Sequence, residues 1–396
     1  MSMFALTPAP SAQFVPDYAI AINGAEIPTA LQASITSVVF ESGINAADRV
    51  EISIANPGLQ WLQSHINGLG FLPTVSPIAI PLGGASGLFD MNNKLTLALG
   101  YADQSLADVF EGEITGIEVS LPSDGMPMVT LVAHNYLNRL ALGTYGRGFG
   151  PLPDALIAAI LSVENLLIPF IDPAIAGAST AIAVVNFIFN GSGRKQKGQT
   201  DLDLLQEIAR TYDADFWVEG STLVLSRLVK PYTPSVTLTW GESLIDFSAK
   251  VSTVGSVFGV GVKFVLREIP LSFVVTASWN LNTQNLAINV VPSATVAYLK
   301  SLIGPIDIFI NRPISSPPDI INSALFITRR LRDTVNNRLT ASGTALGNPA
   351  IIANQVVQFN GIGPDFSGNY RVTSARHVID ANGYRTSFKV RKEILP

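Results

Sequence analysis

The chain has 396 residues, 47% hydrophobic and only 14% charged, with no cysteine and a net charge of −5 from 25 Lys and Arg against 30 Asp and Glu. That length gives room for two or three domains with real cores and excludes a mini-protein, while the slight acidity excludes the broad basic field of a dedicated nucleic-acid binder, so no nucleic-acid sequence recognition is expected. The absence of cysteine removes disulfides, thiol nucleophiles and cysteine zinc sites together, and so low a charge calls for protein partners that cover apolar surface.

The first Lys or Arg is Arg49, so the amino terminus lacks the positive region of a secretory signal, and synthesis in the cytoplasm without a signal peptide is expected. From Asp17 to about Leu142 the pattern has period two. Tyr18, Ile20 and Ile22 alternate with polar or small residues, as do Val50, Ile52 and Ile54, and then Leu95, Leu97, Leu99 and Tyr101; this is the signature of half-buried strands. Asn56 to Phe89 carries no charge but many Gly and Pro, which predicts a long ordered loop lying on something. Phe110 to His134 reads as a hairpin turned at Asp124-Gly125, a pair suited to positive φ. Residues 1–142 are therefore expected to form a first antiparallel β-barrel.

Residues 143–230 change character. GTYGRGFG (143–150) reads as a flexible connection, the apolar stretch 155–190 as helices, and GSGRKQKGQ as a polar basic linker. Glu164, Pro169, Asp172 and Pro173 interrupt the apolar stretch, which suits helices buried at a protein interface better than a membrane contact. Thr200 with Asp203 forms a capping signal ahead of an apolar stripe of Leu204, Leu205, Ile208, Ala209 and Tyr212, and a short hairpin turns at Glu219-Gly220-Ser221-Thr222. The expectation is a smaller helix-and-sheet domain.

Strand patterning returns in residues 231–396, at 244–251, 257–265, 271–277 and 286–291, and again at 355–359, 369–378 and 384–391. A helical excursion over 319–339 carries Ile321, Ala324, Leu325, Leu331 and Val335 on one face. Asn382-Gly383 is a hairpin signal. A second barrel is expected here, making the chain mainly β with an α+β middle. The two hairpins share a grammar: Gly112, strand, Asp124-Gly125, strand, and Gly368, strand, Asn382-Gly383, strand. Chance recurrence of a common hairpin and a duplicated barrel both produce such an echo; a duplication predicts six related units when three chains close into a ring.

Catalytic and cofactor signals are weak. His65, His134 and His377 lie far apart with no metal-binding spacing, so no metal or cofactor is expected. No nucleophile elbow or phosphate loop occurs. Glu111 with Glu113 reads as the polar face of a strand, Asp201 with Asp203 as a helix N-terminus, and Arg329, Arg330 and Arg332 as a solvated or partner-facing helix side.

Four stretches together resemble the phage late control gene D proteins and the related hubs of contractile tails, pyocins, type VI spikes and extracellular injection systems: VFEGEITGIEVSLPSDGMPMVTLVAHNYLNRL (109–140), GQTDLDLLQEIARTYDADFWVEGSTLVL (198–225), DFSAKVSTVGSVFGVGVKF (246–264) and ALGNPAIIANQVVQFNGIGPDFSGNYRVTSARHVIDANGYRTSFKVRK (345–392). His134-Asn135-Tyr136 stands where relatives usually show an aspartate. The resemblance implies a non-catalytic homotrimeric baseplate hub in a tail-like particle, with two similar barrels per subunit, adapting a sixfold inner tube to a threefold spike. It also implies partners in the tube protein, a separate spike protein and other baseplate components. A carbohydrate-binding or adhesion module and a tail-associated peptidoglycan hydrolase are the rival readings.

Overall fold

A computed structural model describes residues 15–57, 87–102, 104–190, 193–227, 233–251, 259–265, 272–280, 285–292, 306–310 and 317–393. The first region contains β1 (Pro16–Ile22), β2 (Ala25–Glu26), β3 (Ile35–Gly43), β4 (Arg49–Ala55), β5 (Lys94–Tyr101), β6 (Ala107–Ser120) and β7 (Met128–Asn135). Period-two burial does the work expected of it: Val50, Ile52 and Ile54 point inward with Leu95, Leu97 and Leu131, and Arg49, Glu51 and Ser53 point away. The uncharged loop expected over Asn56–Phe89 falls mostly on 58–86, outside the described residues, as does His65.

The middle region contains β8 (Tyr145–Gly148), β9 (Ile168–Ile171), β10 (Lys195–Gln199), β11 (Asp215–Glu219) and β12 (Thr222–Ser226), with helices Asp154–Glu164, Pro173–Asn190 and Asp201–Thr211. Helix Asp201–Thr211 has the capping box its sequence announces: Thr200 Oγ1 accepts from Asp203 N at 3.0 Å, and the Asp203 carboxylate accepts from Thr200 N at 3.0 Å. Two expectations change. The Gly-rich run and the basic linker are not free connections, because β8 and β10 pair antiparallel. Arg147 explains it, reaching Gln196 at 2.8 Å and Asp201 at 2.9 Å. The apolar stretch is also not helical throughout, since β9 pairs parallel with β12.

The last region contains β13 (Val236–Thr239), β14 (Leu244–Val251), β15 (Gly259–Val265), β16 (Ser272–Asn280), β17 (Asn285–Pro292), β18 (Ile306–Ile310), β19 (Leu339–Leu346), β20 (Val356–Asn360), β21 (Gly368–Asp380) and β22 (Gly383–Arg391). Strands β15 to β18 form their own four-stranded sheet, and helix Pro317–Asn336 buries Ile327, Leu331 and Val335 against it. That helix stops three residues short of the expected boundary, because Leu339 opens β19. Ile321 and Ala324 of its expected stripe lie outside the residues whose side chains are described.

The mainly β, antiparallel architecture is as expected, but the sheets do not close into barrels. Among the described residues one thirteen-stranded sheet runs β14-β19-β22-β21-β3-β4-β7-β6-β5-β1-β2, with β20 and β13 branching from β21. The physical reason is at the middle of this path. The outer edge of β3 does not close on its own region; it is taken by β21.

Candidate assembly surfaces

The strand pairings contain an internal repeat far more detailed than the hairpin echo. In β6 a bulge falls at Thr115 against β7, and in β21 one falls at Thr373 against β22. Each threonine hydroxyl donates across its bulge to a main-chain carbonyl, Thr115 to Val132 at 3.3 Å and Thr373 to Lys389 at 3.0 Å. Counting outward from these two residues, β4 pairs with β7 in the same register as β19 with β22, so Arg49–Ala55 answers Thr340–Leu346. Strand β3 then answers β14, and both carry a further bulge at the matching position, Thr36 and Ile245. On the other side β5 answers β20. Even the entry turns agree: Asn92 N donates to Ile114 O, as Asn354 N does to Val372 O, both at 2.9 Å, and both asparagines are left-handed, at φ 67° and 72°.

The structure gives the six turn and hairpin residues singled out in the sequence different duties. Gly112 shares a row with Tyr370, and Gly368 with Phe110, so the two glycines sit two residues apart in the repeat. A Cβ on Gly112 would lie 2.2 Å from His134 O, so only glycine fits there. Asp124 and Gly125 occupy a longer loop, 121–127, and neither has positive φ, contrary to expectation. A longer loop spreads the reversal over more residues and relaxes that demand. In the second hairpin Gly383 rather than Asn382 is left-handed, at φ 105°, while Asp380 Oδ1 accepts from Asn382 N at 2.7 Å.

The two repeats are joined edge to edge by β21 and β3, with Ser374 opposite Gly43 and Ile379 opposite Val38. Phe40 and His377 stack across the join at 5.5 Å, each 1% exposed. On the wet face Arg376 Nε donates to Glu41 Oε1 at 2.8 Å. His377 Nε2 lies 2.9 Å from Ile351 O, a pure acceptor, so that nitrogen carries the proton and Nδ1 accepts from the hydroxyls of Tyr384 or Thr386. Burial depresses His377 to about 4, despite its bond to Ile351. Burial acts the other way on Asp48, in the β3–β4 turn, pushing it up to about 7 even though Gly43 N and Asn135 donate to it.

A buried charge cluster ties the middle region to both repeats. The fully buried Arg371 guanidinium donates to Asp215 at 2.7 Å and to Asn354 Oδ1 at 3.1 Å, and Asp215 also accepts from Asn45 at 2.8 Å. Burial alone would raise Asp215, but Arg371 and Asn45 hold its carboxyl below the usual range. Nothing in the sequence pattern distinguished Arg371 from its exposed neighbours on the same strand. Arg332 is not on the solvated or partner-facing side expected of it: it is buried within the chain and pairs with Asp213 at 2.9 Å, because helix Pro317–Asn336 lays that side against the middle region.

Two kinds of surface remain uncovered. The middle region exposes Val163, Ile168, Phe170, Phe187 and Ile188 around its helices, and no helix among the described residues is long and apolar enough to cross a membrane. The great sheet, in turn, leaves strand edges open among the described residues: besides its ends at β1–β2 and at β13, these are the Thr115–Ser120 part of β6 on its β5 side and the outer edge of β14. Glu111 and Glu113 are engaged by Lys94 at 2.8 Å and by Arg139, and Asp201 by Arg147, so these acid pairs serve structure. His134 is bound to Thr115 at 2.7 Å.

In fold the chain is similar to solved phage tail proteins. The 43 kDa tail protein of prophage MuSo2 from Shewanella oneidensis superposes with a TM-score of 0.62 at 12% identity, over 96% of this chain and 99% of that one. A tail protein from Neisseria meningitidis MC58 gives 0.57 at 13% identity, over 96% and 97%. The Escherichia coli c3393 protein, described as a component of the type VI secretion system structurally similar to the T4 tail proteins gp27 and gp5, gives 0.53 at 10% identity, over 95% and 80%. No family model matches the sequence, and no curated protein does.

Proposed function

We propose that this chain is a structural hub in the tail of a contractile injection particle. In this reading three copies form a ring in which first and second repeats alternate around a pore, so that six related units meet a sixfold inner tube while three equivalent faces receive a separate spike protein. The observation that carries the reading is the internal repeat, matched bulge for bulge, because a subunit built from two equivalent halves is what converts threefold into approximate sixfold symmetry. The likeness to solved tail proteins supports it, and the role needs no catalysis. The exposed apolar residues of the middle region are the natural place for other baseplate components. The test is light scattering on the purified chain, followed by capture of tube and spike proteins from an assembled particle. A trimer that captures both is expected. A monomer at all concentrations that captures neither ends the proposal, as would peptidoglycan cleavage in a zymogram or stoichiometric glycan binding by the isolated chain.

A further inference from the structure

Two of the sheet's open edges, those of β6 and β14, are related through the internal repeat. Strand β21 uses one edge twice: Gly368–Arg371 pairs with β20, and Ser374–Ile379 pairs with β3. Its counterpart β6 uses the first half of the same edge for β5 and, among the described residues, leaves the second half open. Strand β3 gives its outer edge to β21, and its counterpart β14, among the described residues, leaves that edge open. Each open edge is thus the equivalent of one half of a join that already exists inside the chain.

We propose that β6 of one copy pairs antiparallel with β14 of the next, repeating the β21–β3 join between subunits. This rests on the trimeric hub reading and deepens it by naming the strands and their register. Carrying the internal register across the repeat places Ile117 opposite Val251, Glu118 opposite Lys250, Val119 opposite Ala249, Ser120 opposite Ser248 and Leu121 opposite Phe247.

Three observations support this register. Burial is the first. His377 and Ile379 are 1% and 7% exposed in the internal join, whereas their counterparts Val119 and Leu121 are 45% and 60% exposed; Ser42 is 7% exposed and its counterpart Val251 is 49%. Charge is the second. The internal join carries Arg376 against Glu41, and the same row at the open edges carries Glu118 against Lys250, the pair preserved with its signs exchanged. The third is composition. Neither open edge contains proline, and both present exposed apolar side chains, Val119 and Leu121 on one and Val251 on the other. Pairing a β6 edge with a β14 edge leaves one edge of each kind free on the pair, so the contact can repeat from copy to copy until a ring closes.

The cysteine-free sequence permits a direct test. Glu118→Cys and Lys250→Cys are made singly and together, and thiols are oxidised by dissolved oxygen with a copper catalyst. Each single variant is expected to remain uncrosslinked, the mixture of the two to give a covalent dimer, and the double variant to give a closed covalent trimer. Glu41→Cys with Arg376→Cys serves as the internal control, closing within one chain. The charge exchange is read separately by light scattering: Glu118→Lys or Lys250→Glu alone should raise the concentration needed for assembly roughly tenfold, and the two together should restore it. A trimer by light scattering that gives no crosslink overturns the edge pairing and leaves the hub standing. Either single variant crosslinking to itself overturns it in favour of a twofold contact. A chain that never assembles overturns both.

Discussion

The two repeats trace one backbone and fill it in opposite ways. In the first, β4 supplies Val50, Ile52 and Ile54, and the facing positions are modest: Val38, Leu97, Gly112 and Leu131. In the second, β19 supplies Ala341, Gly343 and Ala345 at the same places, and the facing positions are Phe247, Phe359, Tyr370 and Phe388. Aromatic bulk on four strands replaces aliphatic bulk on one. The rings take up the space the small residues leave, with Phe359 4.9 Å from Phe247, 5.3 Å from Tyr370 and 5.4 Å from Phe388 between centroids. Bulges and register outlast side-chain identity because they set which face every residue points to, whereas volume can be redistributed among neighbours so long as the total is kept.

The largest tests of that comparison remove the bulk each side depends on. Phe359→Ala in the aromatic core and Ile52→Ala in the aliphatic one are expected to cost about 3–5 and about 2–5 kcal/mol respectively, read as a fall in denaturant midpoint. If either proves near-neutral, the core it belongs to is not organised as described. The next test uses the acid response of the join. His377 falls from an ordinary 6.5 to about 4 on folding, so its contribution is fully present above pH 6.5 and is lost as pH falls through 4, about 3 kcal/mol at most. The first repeat has Val119 in that row. His377→Val should therefore flatten the stability profile between pH 6.5 and 4, even though the variant is less stable at neutral pH. Asp48 has the opposite sign: raised from 3.8 to about 7, its favourable contribution is present below 3.8 and lost as pH rises through 7. Asp48→Asn should flatten that loss, as checked by urea titrations across the range.

Smaller effects sharpen the comparison further. Gly343 answers Ile52, and a Cβ there would lie 2.4 Å from Asp246 O and 3.0 Å from the Phe388 ring. Gly343→Ala is expected to cost about 1–3 kcal/mol through overpacking, although the homologous position in the first repeat carries a full isoleucine. Thr373→Val removes one bulge hydrogen bond and should cost about 1 kcal/mol, whereas Thr115→Val also removes the contact with His134 and should cost more, in matched denaturant melts. A larger loss at Thr373 than at Thr115 would mean that the two bulges are alike in position but not in function.

Local chemistry was legible in the sequence; long-range partnership was not. The β6–β7 and β21–β22 hairpins, the Thr200 capping box and the amphipathic helices all announce themselves within a dozen residues, through periodicity and turn chemistry. The hairpin echo pointed toward the repeat, but Gly112 and Gly368 were the wrong residues on which to align it. The bulge threonines define the register, and a bulge is a property of two strands together. The pairing of β8 with β10 was hidden because glycine and basic residues read as linker until Arg147 meets Asp201. Closure into barrels was expected because a single region cannot reveal that its free edge is claimed by residues more than three hundred positions away.

That distance also orders events during synthesis. Strand β3 leaves the ribosome early, yet its outer edge is not covered until Ser374–Ile379 has been made, and residues 252–338, carrying a small sheet and a long helix, lie in between, inside the β14–β19 connection. At roughly 5–20 residues per second, the Val38–Gly43 edge waits on the order of twenty seconds to a minute with its main chain unpaired. For that interval the nascent chain presents the kind of apolar strand edge that recruits other chains indiscriminately. A chain truncated before Gly368 would never leave that state.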